Sequence, residues 1–307
     1  MSNFILNTPV AFLIFNRPET TIKVFEEIKK ARPKKLFVVA DGPRSNNQQD
    51  LEGCTAARKI IDTVDWDCEV LKNYSDINLG CKQRVSSGIT WVFDNSEEAI
   101  FLEDDCLPHQ SFFRYCQELL AYYRNDERIM MISGDNFQDG RKVTENSYYF
   151  SSYSHIWGWA SWKRAWRKYD VEMKLWPAIR KSKYLDYWLS NKKAVTHWKE
   201  EFRRIYNHKI NTWDFQFLFA CWINQGFSIL PEVNLVSNIG FGTGASHTDN
   251  KNNKASNIPV KEIHFPLKHP DFVMRNLEAD IYEEENYILF SLHRRLGRRI
   301  KSFFARA

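Results

Sequence analysis

The chain has 307 residues, 43% hydrophobic and 26% charged, with 12 Gly and 10 Pro, proportions that suit one large or two small globular domains and exclude general disorder or a collagenous repeat. The net charge of +5 is concentrated in the last fifteen residues, where Arg294, Arg295, Arg298, Arg299, Lys301 and Arg306 supply six cations; without them the remainder carries −1, which gives no support to nucleic-acid binding. The longest apolar runs, 10–15 and 217–223, fall short of the roughly 20 residues that span a bilayer.

Met1-Ser2-Asn3-Phe4 lacks the basic start and the cleavage site of a secretory signal, so the expected location is the cytoplasm. The six cysteines, at 54, 68, 81, 106, 116 and 221, form no C-x-x-C pair and read as thiols without a disulfide or zinc framework.

In chain order, 10–15 reads as a buried strand, 20–31 as a helix stopped by Pro33, and 35–40 as a strand ending in Asp41-Gly42-Pro43. A helix at 51–62, a strand at 68–72, a helix at 80–93, a strand at 99–103, a helix at 109–124 and a strand at 129–133 follow. This alternation predicts an α/β fold, a mainly parallel Rossmann-like sheet flanked by helices. Neither G-x-G-x-x-G nor the P-loop pattern is present. Nine of the eleven Trp lie beyond residue 145, which suggests an aromatic binding surface, although each Trp taken singly reads more naturally as core. An apolar helix is expected at 215–224. The stretch 238–257, rich in Gly, Ser, Thr, Asn and Lys, reads as a mobile loop.

The sharpest chemical signal is Glu103-Asp104-Asp105, three acids at the end of an apolar strand. Ligands of open α/β sheets bind beyond the carboxyl ends of strands, and adjacent carboxylates suit a hard cation such as Mn²⁺ or Mg²⁺ that shares its other positions with water and phosphate. The alternative is a solvated acidic turn.

With the following helix, Phe112-Phe113-Arg114-Tyr115, this motif resembles the acidic metal motif of GT-A nucleotide-sugar glycosyltransferases, in particular the N-acetylglucosaminyltransferase I type and its bacterial relatives. Phe15-Asn16-Arg17, Ala40-Asp41-Gly42, the run Asn78 to Arg84 and Trp157-Gly158-Trp159-Ala160-Ser161-Trp162 resemble landmarks of that group in the same order, over about residues 8–245. The resemblance implies a UDP-sugar donor, first of all UDP-GlcNAc, and an inverting transfer to a glycan or lipid-linked acceptor in surface polysaccharide synthesis. It implies Asp105 as metal ligand, Asp104 near the ribose or the metal's water shell, and Glu103 as an orienting group. Phe15, Asn16, Arg17 and Asp41 would surround uracil and ribose, with Asn78, Gly80 and Arg84 close by. Residues 1–145 would then be the nucleotide-sugar-binding half, 146–260 the acceptor and catalytic half, and 261–307 an extension.

A base for the acceptor hydroxyl is expected at Asp214, beside Trp213 and Phe215, where desolvation raises a carboxyl pKa; the alternative is a helix N-terminal acid. Asp135 competes for the base role or for a sugar contact. The glycines from 240 to 244 could wrap a diphosphate, bringing His247 toward the metal, with His155 and His197 as weaker candidates. Gly158 would let a sugar approach. Leu289, Leu292, Leu296, Ile300 and Phe303 step by three and four opposite a basic face, which suits attachment to an anionic membrane surface or docking on the protein's own body. Two other function classes fit the same acids: a non-catalytic nucleotide- or carbohydrate-binding protein, and a metal-dependent phosphohydrolase.

Overall fold

The computed structural model describes residues 4–189, 191–241 and 254–289. The elements run β1 (Val10–Ile14), α1 (Pro18–Ala31), β2 (Lys35–Ala40), α2 (Gln48–Ile60), β3 (Glu69–Tyr74), α3 (Gly80–Asp94), β4 (Glu98–Glu103), β5 (Cys106–Pro108), α4 (Ser111–Tyr122) and β6 (Ile129–Ser133). They continue with β7 (Tyr148–Ser151), β8 (Trp159–Trp162), α5 (Lys163–Trp166), α6 (Trp176–Lys181), α7 (Tyr184–Trp188), α8 (Lys192–Tyr206), α9 (Asp214–Ile223), β9 (Phe227–Pro231), β10 (Val236–Asn238) and α10 (Leu277–Glu283).

Eight strands form one sheet in the order β3-β2-β1-β4-β8-β6-β9-β7, and β5 pairs with β10 in a small second sheet. All pairings in the main sheet are parallel except those of β8 and β7, so the expectation of a mainly parallel α/β fold is met. Strands after residue 145 complete the same sheet.

The period-two rule divides β1 between two cores. Val10, Phe12 and Ile14 join one cluster with α1 and α4, while Ala11 and Leu13 join the opposite cluster with Phe93, Phe101, Trp159 and Trp213. Helix α1 starts on Pro18, whose missing N–H costs nothing there, and buries Thr21, Val24, Phe25 and Ile28 along one stripe.

A third cluster, with Trp176, Trp198, Phe202, Phe219 and Trp222, packs α6 to α9 together. Trp159, Trp162, Trp166, Trp176, Trp198, Trp213 and Trp222 are all buried, so the tryptophan-rich second half is predominantly core. Among the described residues no helix is long and apolar enough to cross a membrane. The basic stripe beyond Leu289 lies outside the described residues.

Two further local expectations change. Asn238 is paired in β10, and Asn257 N–H donates to the Asn238 carbonyl at 3.1 Å, so the two described ends of the 238–257 stretch are tied to each other, while 242–253, the middle of the expected mobile loop, lie outside the described residues. Gly158, at φ +69°, is approached by Val236: an added Cβ would stand 2.6 Å from Val236 Cγ2, and protein fills the space expected for a sugar.

Candidate active site

The strand order reverses between β1 and β4, since β2 and β3 lie to one side of β1 and β4 to the other. A crevice opens beyond the carboxyl ends of strands at such a switch point. Phe15, Asn16 and Arg17 leave β1 there, beside Glu103, Asp104 and Asp105 leaving β4, with Leu13 in register with Glu103.

Arg17 forks across the two aspartates. Its Nη1 lies 2.8 Å from Asp105 Oδ2, and its Nη2 pairs with Asp104 Oδ1. The Phe15 N–H donates to Asp104 Oδ2 at 3.0 Å, so both oxygens of Asp104 are engaged. Burial raises the Asp104 carboxyl to about 6 against the pull of Arg17. The Glu103 side chain has no hydrogen-bond or ion-pair partner among the described residues; burial first, then the charges of Asp105 and Asp104, push it to about 8.

The segment after β10 roofs the acids. Ile239 N–H donates to the Asp105 carbonyl at 2.8 Å, and the backbone of Gly240 lies so close that a Cβ would sit 2.1 Å from Asp105 Oδ2 and 2.8 Å from Arg17 Nη1. On the other side, Asn211 Oδ1 accepts the Lys82 N–H at 3.0 Å, which fixes the approach to α9. Asp214 opens that helix, accepts a hydrogen bond from the Thr212 hydroxyl, and adds its charge to those acting on Glu103. Asp214 therefore shares one electrostatic environment with the strand-end acids.

Other expected site residues serve the scaffold. Asp41 Oδ1 accepts the N–H groups of Gly42 and Leu79, both at 2.9 Å, while Oδ2 accepts Gly80 N–H at 3.0 Å and Asn78 Nδ2 at 3.1 Å. With two donors on each oxygen, this carboxylate closes the turn into α3 and is saturated by the protein. Gly80 takes φ +76° in that turn. Arg84 is buried and ties the Ala40 carbonyl at 3.1 Å and the Asn73 carbonyl at 2.5 Å, joining the ends of β2 and β3. Asn16 donates to Asp50 at 2.7 Å, and Asp50 in turn holds Arg44, whose guanidinium lies over the Phe15 ring at 5.8 Å.

Asp135 is buried, accepts the Ser133 hydroxyl at 2.7 Å and lies 2.9 Å from His155 Nδ1. His155 Nε2 meets Glu283 Oε1 at 2.7 Å. The two acids hold this buried imidazole well above its usual pKa against the effect of burial. Asp135 and His155 thus belong to a buried ion cluster with Glu283, in which both are paired with protein groups. His197 packs edge-on against Trp198. His247 and the glycines at 242 and 244 lie outside the described residues. The glutamates of α10 and the roofing role of Gly240 are not legible as site features, because their partners lie far away in sequence.

Among the described residues no three of His, Cys, Asp and Glu converge to hold a metal. Asp104 is engaged by Arg17 and the Phe15 N–H, and Asp105 by Arg17 at Oδ2 and by the weak donor Cys106 Sγ at 3.6 Å at Oδ1, so an ion held by Asp105 with its neighbour Glu103 would displace Arg17 or the thiol. Such a donor set fits a hard ion that takes one or two carboxylates and draws its remaining ligands from water and phosphate; it does not fit an all-protein zinc cage. No family model and no curated protein matches this chain.

Proposed function

We propose that this protein is a GT-A-type glycosyltransferase that moves a sugar from a UDP-sugar to a glycan or lipid-linked acceptor, assisted by Mn²⁺ or Mg²⁺. The observation that carries this reading is the Arg17-bridged aspartate pair at the switch point between β1 and β4. Asp105, with Glu103 beside it, would hold the ion, which would supply positive charge against the departing diphosphate. Arg17 is the chain's own cation at that place, and on release from one aspartate its planar fork suits a phosphate. Asp214 would accept the proton of the acceptor hydroxyl, held in orientation by Thr212.

The test is thermal unfolding with UDP, with and without Mn²⁺, followed by turnover. Binding at 100 times Kd raises apparent stability by about 2.7 kcal/mol. Asp105→Ala should fold and lose the Mn²⁺-dependent part of that shift. Asp214→Asn should retain the shift and lose about 10²- to 10⁴-fold in transfer. A folded Asp105→Ala protein with an unchanged Mn²⁺-dependent shift refutes the assignment, and hydrolysis of phosphate esters without transfer would favour a phosphohydrolase.

A further inference from the structure

Helices α6, α7 and α8 bury Trp176, Leu185 and Trp198 in one cluster with Phe219 and Trp222 of α9, so they cover that buried helix and turn their other sides outward. The outer side carries charge of one sign. Residues 174–193 hold six cations, Lys174, Arg180, Lys181, Lys183, Lys192 and Lys193, against the single acid Asp186, a local excess of +5. All six cations are exposed, and none takes part in an ion pair among the described residues, whereas Asp186 is taken by Lys199 at 2.9 Å. The same stretch carries the most exposed large apolar or aromatic side chain among the described residues, Tyr187 at 82%, together with Leu175 at 57%. Pro177 is exposed as well.

We propose that the outer side of α6 and α7, with the start of α8, is a docking surface for an anionic lipid bilayer. Each cation near such a surface strengthens attachment about fivefold. The attraction fades within about 10 Å at 0.1 M salt, so what counts is cations on one exposed side and not the net charge of the chain. Charge alone would suit nucleic acid equally. The apolar groups decide between the two: Leu175 and Pro177 have nothing to offer a phosphate backbone, whereas the boundary between headgroups and acyl chains takes an aliphatic side chain and holds a tyrosine with its ring inward and its hydroxyl in water. Long Lys and Arg stems lie along apolar material while their charges stay at headgroup level. The surface lies on α6 to α8 and the strand-end acids on β4, so it stands independently of the proposed reaction.

Co-sedimentation of the full chain with phosphatidylcholine vesicles, with and without about one third phosphatidylglycerol, tests the surface. At low salt the chain should bind the anionic vesicles and not the neutral ones, and binding should weaken at least about tenfold at about 0.5 M salt. Combining Arg180→Gln, Lys181→Gln and Lys183→Gln should weaken it about 100-fold, three steps of about fivefold. Leu175→Ser with Tyr187→Ser, at unchanged charge, should weaken it about tenfold. Acetylation of the unsubstituted protein gives a readout independent of how the variants fold: anionic vesicles should protect Lys181, Lys183, Lys192 and Lys193. Absence of binding to anionic vesicles at low salt overturns the proposal, as does protection confined to other lysines. Equal binding by the triple glutamine variant overturns it too and assigns attachment to another surface, such as the basic residues beyond 289. If the serine variant binds as well as the original chain and duplex DNA competes the vesicles away, the surface is one for nucleic acid and the proposal fails.

Discussion

Replacing Glu103 with Gln removes a carboxylate that the fold holds at a cost. Below pH 4.5 the side chain is protonated whether the chain is folded or not, and stability does not depend on it. Between that ordinary value and about 8, the folded protein retains a proton that the unfolded chain has released, so stability falls as pH rises. The slope is about 1.4 kcal/mol per pH unit for one proton. Across the whole interval that is at most about 5 kcal/mol, and the partial exposure of the side chain reduces it through solvent screening to about 2–3 kcal/mol. Gln keeps the shape and stays neutral. Urea unfolding should therefore find Glu103→Gln more stable by about 2–3 kcal/mol at pH 8.5, with a gain below about 1 kcal/mol at pH 5. A gain of equal size at both pH values, or a loss at pH 8.5, refutes the account of Glu103 as a charge forced into a crowded acidic site.

Gly240→Ala should drive a methyl into Asp105 and Arg17; we expect a stability loss of about 1–3 kcal/mol from overpacking and at least about tenfold weaker Mn²⁺-dependent UDP binding, both read from thermal shifts, and unchanged binding would show that the roof has no part in the site. Asp41→Ala leaves the N–H groups of Gly42, Leu79 and Gly80 without their shared acceptor, so urea unfolding should show a loss of about 3 kcal/mol; a loss below about 0.5 kcal/mol would mean that water satisfies that turn instead.

Strands read well from sequence where burial on both faces makes a continuous apolar run, and the bounds of β2 and β6 coincide with the stretches 35–40 and 129–133. Helix α2 begins earlier than the apolar pattern because Asn47 caps it, accepting the Asp50 N–H at 3.0 Å; the pattern registers burial, while the cap lies in a polar stretch ahead of it. The acids 103–105 are legible because they are adjacent in the chain. Their pairing with Arg17 spans 87 positions and is set by the parallel neighbours β1 and β4, which a linear reading does not fix. For the same reason Asp41 and Asp135 look like available carboxylates until the donors from 78–80 and His155 arrive from elsewhere. Tryptophan count carries no information about exposure here, since the same flat rings that suit a sugar also pack helices α6 to α9.

The internal cluster around α10 has a consequence for how the protein is made. Asp280 accepts hydrogen bonds from Ser151 and Ser152 and from Arg275, Glu284 accepts from Tyr153, and Glu283 meets His155 across 128 positions of chain. At about 5–20 residues per second, a ribosome needs roughly 6–25 s to travel from one side of that contact to the other. During that interval the sheet can assemble, but its far end lacks the carboxylates that complete it. The nascent protein therefore reaches its finished interior only when the region around residue 284 has emerged.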